Sequence, residues 1–415
     1  MLQRRLGFGG TGADLDELAT LGYDAALDRL LSMGTGDAAD QLGPPLISAY
    51  QPVRQAVANG DAQQLRTDAQ TLVRWWIDRM VVTSRPTLEK MALVWHGHFA
   101  TGISKVRSPA LMYQQNQVLR QHALGSFAEL ALAVAKDPAM MIWLDTFQDV
   151  KGKPNENFAR ELMELFTLGL NHYSEADVKE AARCFTGWSL DRSTGQFLFR
   201  PTLHDSAGKT LLAKPADTGE DAVAILTSHP DCARFITARL WSRLARPVPV
   251  TDPVVADLAP GFAAHGDITE LVRSIALHPA FRTPEVAAGL VKQPVEWYVG
   301  ALRALGLRVG PLAELGDLRD LGQVPFNPPS VGGWPPNAYW LSSATALARL
   351  TLVTRMAKRA DLSELEGGPT QQRPATLARW LGVDQWSSAS GRAIANGTAA
   401  ESLAIALVSP EYVLA

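Results

Sequence analysis

Cysteine is nearly absent from this 415-residue chain, which holds only Cys184 and Cys232, each inside an apolar-periodic helical stretch. Two such residues provide no disulfide framework and read as small buried hydrophobes. An excess of charge of one sign is missing too: 39 Lys and Arg stand against 42 Asp and Glu, for a net charge of -3, with no long basic run. A nucleic-acid partner is therefore not expected. No apolar run is long enough to cross a bilayer, and the basic start MLQRRLGFGGTG lacks the apolar segment of ~7–15 residues that a signal peptide needs. The chain as it stands reads as soluble and cytoplasmic, or as exported to the periplasm or beyond if a leader has been removed. Nucleophile elbows, Walker A loops, C-x-x-C pairs and catalytic-cysteine signatures are also lacking. Gly7 to Gly12 matches G-x-G-x-x-G by letter, but that fingerprint works only when a buried strand feeds the turn, and only MLQRRL precedes it. It reads as a flexible lead into a helix beginning near Asp14.

Alanine and leucine are plentiful, apolar residues recur at helical spacing, and alternating Val/Ile/Thr runs are scarce. The fold is expected to be all-α, a large multi-helix single domain over 1–415, with a core motif region at 62–190 and a C-terminal helical part at 214–415. Helices are predicted at 13–33, 45–58, 62–81, 86–99, 110–135, 155–169, 174–186, 217–228, 230–245, 267–278, 284–305, 338–358 and 397–408. Two stretches break the rhythm. Residues 191–213, with the alternation QFLFRP, predict a short irregular or β-hairpin excursion. The Pro/Gly-rich segment VPFNPPSVGGWPPNAYW (Val324 to Trp340) forbids helix while remaining apolar enough to lie on the core.

Three stretches carry candidate chemistry. In EKMALVWHGHFATG (Glu89 to Gly102), a helix begun by Pro86 presents Leu88, Met91, Ala92, Trp95 and Phe99 as an apolar stripe. At ~100° per residue His96 and His98 lie about 160° apart, so both face one ion only if the chain unwinds at Gly97. His96 is the one expected to turn inward. In KPNENFARELMELFTLG, Asn155 caps a helix whose flank carries Asn157, Glu161 and Glu164 at i, i+4 and i+7. Carboxylates at i, i+3 beside an apolar face repel unless a cation, a shared proton or a basic side chain separates them. Such spacing recurs in carboxylate metal sites of helical bundles, where a histidine (His96, His98, His172 or His204 here) joins them; oxygen-only coordination would suit calcium or magnesium. Pairing with Arg or Lys from neighbouring helices is the structural alternative. In TLHDSAGKT, His204 and Asp205 act as base and orienting carboxylate only if the backbone turns them together, and otherwise form a solvated turn. YSEADVKEAARCFTGW reads as a helix with Ser174 and Asp177 in a capping box and Gly187 as its stop.

These pieces, together with LGFGGTGADLDELATLGYDAALDRLL, DPAMMIWLDTFQDVKGKPNENFARELMELFTLG, HPDCARFITARLW, VKQPVEWYVGAL, PFNPPSVGGWPPNAYWLSSATALAR and the ending LVSPEYVLA, resemble the bacterial family named domain of unknown function 1800. The resemblance spans nearly the whole chain in order and implies one domain. It places His96, His98, Asn155, Asn157, Glu161, Glu164, His204 and Asp205 on motif positions, and implies no particular reaction. Members of that family often begin with an export signal, frequently of twin-arginine type, and often stand beside a second family of secreted, sulfatase-like proteins. This chain departs in showing no leader.

The sequence thus supports an enzyme whose polar centre lies between the 86–99 and 155–169 helices. There Glu161 and Glu164 bind a divalent metal ion or act as acid and base, His96 or His98 supplies a ligand or proton relay, Asn155 and Asn157 orient them, and His204 with Asp205 completes the site. Hydrolysis and redox chemistry are both compatible. The rival is a non-catalytic interaction, scaffold or maturation protein in which the same residues form a buried network that fixes helix register. Neither a substrate nor a protein partner is specified.

Overall fold

In the computed structural model, which describes residues 1–32, 34, 36–51, 62–310, 316 and 318–414, the helix Pro86–His98 is buried on every side, with Gly97 alone partly open. A helix covered all round belongs at the centre of a fold. Leu88, Met91, Val94 and Trp95 join one apolar core with Phe127, Phe158, Phe166 and Trp241, whereas Ala92 and Leu93 join a second with Trp76, Trp297 and Trp340. Pro86 occupies the first turn, where its missing N–H leaves no bond unmade. The helix runs unbroken through Gly97 and ends where Phe99 leaves helical geometry (φ -92, ψ 54). The chain does not unwind at Gly97, so the two histidines point to different neighbours.

The fold is essentially all-α. Among the described residues, strands are confined to two short antiparallel pairs, Trp188–Leu190 with Phe197–Phe199 and Thr210–Leu211 with Lys214–Pro215. They lie in and beside the expected excursion at 191–213. Gly187, at φ +85, enters it so tightly that a Cβ would lie 2.8 Å from the Arg200 carbonyl oxygen. The Ser174–Asp177 capping box is present in both directions at the helix Glu175–Phe185, and Cys184 and Cys232 are free and buried.

Several expected helices divide. The 13–33 prediction becomes Gly12–Leu21 and Tyr23–Leu31, because Gly22 takes φ +77. The 110–135 prediction becomes Pro109–Gln121 and Phe127–Ala135, the second restarted by a Ser126 cap, and 284–305 becomes Pro284–Ala287 and Pro294–Ala304. Residues 45–51 are not helical, and the rest of the 45–58 prediction lies outside the described residues. The helix Pro253–His265 was not expected, since Pro260 and Gly261 interrupt its pattern; Pro260 sits on its exposed side.

The Gly-rich start is packed rather than loose. Leu2–Leu6 is a short helix, Phe8 is buried, and the Gly9 carbonyl accepts from Arg303 Nε at 3.0 Å. Arg5, fully buried, donates to the carbonyls of Ala245 (2.7 Å), Val286 and Ala287, which end two helices and have no partner within them. The Pro/Gly-rich segment lies on the core as expected, burying Phe326, Trp334 and Trp340. Its Gly333 has φ +79, and a Cβ there would fall 2.2 Å from the Gly97 carbonyl oxygen.

Candidate functional site

The central helix carries four ionisable side chains into the interior, each of which needs a partner. Glu89 accepts from Arg79 Nε (2.7 Å), Arg120 Nε (2.5 Å) and Trp76 Nε1 (3.0 Å). Burial works to raise its pKa, but the two guanidiniums outweigh it and hold the carboxyl below its usual value. Lys90 pairs with Glu296 at 2.8 Å. Burial lowers its pKa despite that carboxylate.

His96 Nε2 accepts the backbone N–H of Phe326 at 2.9 Å, and its ring packs against Trp76, Phe326 and Trp334. It pins the Pro/Gly-rich segment to the helix. His98, on the other side, sets Nε2 at 3.0 Å from the Phe166 carbonyl oxygen among the rings of Trp95, Phe99 and Phe235. Burial pushes both imidazoles down to about 3, aided at His98 by Arg239 and Arg243. Both rings are therefore neutral. A carbonyl only accepts, so His98 Nε2 carries the proton and Nδ1 is an acceptor; that Nδ1 is buried without a partner.

Glu161 ends the regular helix Glu156–Glu161, and the chain continues as a π-turn over Leu162–Thr167, where Thr167 Oγ1 donates to the Leu162 carbonyl at 2.6 Å. Glu164 accepts from the Tyr173 hydroxyl at 2.9 Å. Glu161 has its pKa raised by burial and then by Glu164. No hydrogen bond or ion pair among the described residues joins either carboxylate to His96 or His98, and no group of three or more His, Cys, Asp or Glu there is arranged to hold a metal ion. Asn155 caps its helix by accepting from Asn157 N–H at 3.0 Å, and its Nδ2 donates to the Asp145 carbonyl at 3.1 Å. The Asn157 side chain is exposed. His204 and Asp205 diverge. The histidine lies between the carbonyls of Thr186 (2.8 Å) and Asp217 (3.1 Å), while Asp205 accepts from Arg183 Nε at 2.8 Å, which holds its carboxyl down at about 2. They clamp the excursion to the body. His172 Nδ1 meets Asp231 at 2.9 Å near the surface.

His98 instead helps wall a cavity of about 370 Å³ between the helix Pro230–Leu244, residues 247–250, Gln293 and the Pro/Gly-rich segment. Arg239 and Arg243 lie one turn apart on that wall, and no Asp or Glu lines it. Among the described residues neither arginine has an ion pair. Arg239 stacks 5.2 Å over Phe235, and Arg243 donates to Gln293 Oε1 at 2.7 Å. Burial lowers the pKa of both, with Arg243 adding to the effect at Arg239. The Arg243 guanidinium lies against Gly97, where a Cβ would meet its Nη2 in ordinary van der Waals contact at 3.7 Å. Behind Arg243 lie Lys90, Lys292 and Arg5, with Glu296 as the carboxylate among them. The local field is cationic, which suits an anion. A larger cavity of about 520 Å³ near the chain start differs in that its Arg303 donates to the carbonyls of Gly9, Val81 and Thr83.

Sequence reasoning passed over Arg239, Arg243 and Gln293. The signal was there in ARFITARLWSR, where arginines four apart interrupt an apolar helix with no acidic residue one turn away. The walls of the cavity come from segments that carry the family resemblance, namely VWHGHF, HPDCARFITARLW, VKQPVEW and VGGWPPN, apart from Ser242, Arg243 and the turn 247–250. No curated protein and no solved structure matches the chain. A family model described as protein of unknown function (DUF1800) matches residues 1–414, and the chain belongs to that family.

Proposed function

We propose that the protein binds a small organic anion, carrying a carboxylate or phosphate, in the cavity walled by Arg239, Arg243, His98 and Gln293. The observation that carries this reading is the pair of arginines facing a cavity whose lining holds no carboxylate. Two partly buried guanidiniums are costly where the one carboxylate behind them, Glu296, is paired with Lys90, and an anion supplies charge-assisted hydrogen bonds to both. The cavity's size suits a small metabolite, with Trp334 and Phe235 offering apolar wall to its carbon skeleton. Calorimetric titration with inorganic phosphate and with malate tests this. An Arg239→Gln, Arg243→Gln double variant is expected to weaken binding by about a hundredfold, since each bond to a charged group contributes about 1.5–3 kcal/mol. Equal binding by the folded variant and the parent would sink the reading.

The metal-centred enzyme expected from sequence, with Glu161 and Glu164 holding a divalent cation alongside His96 or His98, draws its support from the two carboxylates alone, whose proximity raises the Glu161 pKa. Metal analysis of the purified protein tests it: near-stoichiometric metal lost in a Glu161→Ala, Glu164→Ala variant is its required result. A register-fixing role for His96, Asn155, His204 and Asp205 is favoured by their bonds, which go to main-chain groups or, for Asp205, also to Arg183.

A further inference from the structure

We infer that the occupant of the arginine cavity is an anion with a hydrocarbon body, a phosphate ester or carboxylate carrying a single aryl or branched alkyl group, and that the site gains nothing from hydroxyls on that body. This rests on the anion-binding reading and names its ligand class. It is carried by the way the polar groups around the cavity are already spent on the protein itself.

Apart from the two guanidiniums and the Trp334 indole, three polar side chains line the cavity, His98, Ser242 and Gln293. Ser242 Oγ accepts from Val248 N–H at 3.0 Å and donates to the Val248 carbonyl at 3.4 Å. Gln293 Oε1 accepts from Arg243 at 2.7 Å and from Gln323 at 2.9 Å. His98 commits its Nε2–H to the Phe166 carbonyl. The remaining polar atoms of these last two, Gln293 Nε2 and His98 Nδ1, are sealed from solvent and lie out of a ligand's reach. The backbone adds little, because Pro247, Pro249 and Pro336 have no N–H and that of Val248 is held by Ser242. What faces a ligand is therefore donors, the two guanidiniums and one indole, with no carboxylate to accept from a ligand hydroxyl.

The rest of the wall is hydrocarbon, to which Val94, Phe235, Val248, Val250 and Trp334 contribute side-chain carbon. Phe235 sits one turn before Arg239 on the same helix, and the guanidinium stacks 5.2 Å over its ring. The place for the charge and the place for the body are thus side by side. A volume of about 370 Å³ is near the lower end of ligand cavities, which run from roughly 300 to 1,000 Å³, and suits one ring with its charged group. Hydrocarbon that leaves water against such a wall is favoured in proportion to its area, whereas a hydroxyl brought there gives up water without gaining an acceptor.

Matched ligands test this by calorimetry on the full chain: methyl phosphate against phenyl phosphate, and succinate against phenylsuccinate and malate. The phenyl member of each pair is expected to bind at least about tenfold tighter, a difference of about 1.4 kcal/mol, and malate no tighter than succinate. Phe235→Gln is expected to cut the phenyl preference to about threefold or less. Val250→Gln does the same at a position 43% exposed, where a polar side chain leaves the fold intact; circular dichroism identifies the variants that fold. Equal affinities within the phenyl pairs, malate tighter than succinate by about tenfold, or a preference undiminished in every folded variant overturns the hydrocarbon-body assignment and leaves the anion reading standing. Absence of binding by every ligand overturns both.

Discussion

Asp137 shows at the scale of one residue how burial and hydrogen bonding compete. It caps the helix Pro138–Trp143, accepting from Met140 N–H at 2.9 Å and from Gln115 Nε2 at 2.8 Å, while its other oxygen has no partner. Burial wins, and the carboxyl rises to about 7. The folded chain then holds a proton at Asp137 that the unfolded chain has released, so this group's contribution is full below pH 4 and is lost as pH climbs through 7. Asp149, also near 7, acts in the same direction. His96 and His98 act oppositely, since their depressed values make the fold lose stability as pH falls from 6.5 toward 3. Asn caps as well as Asp, so Asp137→Asn removes one titration and little else. Its stability relative to the parent, from urea midpoints at pH 5 and pH 8, is expected to rise with pH, by an upper bound on the order of 3 kcal/mol. An unchanged difference between the two pH values refutes the assignment. Some of this residue chemistry was legible beforehand: Asn155, Ser174 and Pro86 take the capping positions their types predict, because a cap depends on the next three residues. The protonation of Asp137 was not, because it depends on what covers it.

At the scale of the element, the contact between the central helix and the Pro/Gly-rich segment is set by backbone approach. Gly333→Ala would place a Cβ inside the Gly97 carbonyl contact and strain a positive φ. A loss of about 2 kcal/mol or more is expected, together with weakened ligand binding, because Trp334 and Gly332 wall the same cavity. Thermal unfolding and titration of the one variant read both, and a parental melting point contradicts the close approach. Periodicity located most of the helices, and the excursion and the Pro/Gly-rich segment were legible as departures from it. Periodicity did not reveal the break at Gly22 or the π-turn after Glu161. The pattern of side chains survives a one-residue change in hydrogen-bonding register, so a π-turn leaves little trace in it. The consequence at Glu161 and Glu164 is that a regular-helix spacing was assumed where the helix is not regular.

For the whole molecule, the pivotal group is Glu89. It ties the central helix to Arg79 and Arg120 from two other helices, while Lys90 beside it ties the same helix to Glu296. Removing one member of such a buried set strands the others, and Glu89→Ala is expected to cost about 3–5 kcal/mol. Because the central helix contributes to both apolar cores, we propose that the chain unfolds as one cooperative domain. Tryptophan fluorescence and far-ultraviolet circular dichroism are expected to give coincident denaturation curves in the parent; two separated transitions would contradict a single domain. Among the described residues, no helix is long and apolar enough to cross a membrane.

The sequence by itself determined the helical class, many of the helix starts, the hairpin excursion and the apolar Pro/Gly-rich segment, since each follows from residues within a turn or two of one another. It also supplied the geometric fact that His96 and His98 diverge. Only the tertiary structure decided which polar groups have partners. His96 finds the amide of Phe326, His98 the carbonyl of Phe166, and the neighbours of His98 across the cavity are Arg239, Arg243 and Gln293 rather than Glu161 and Glu164. Partnership in an interior depends on which distant segments are pressed together and which are denied water, and periodicity carries no record of either.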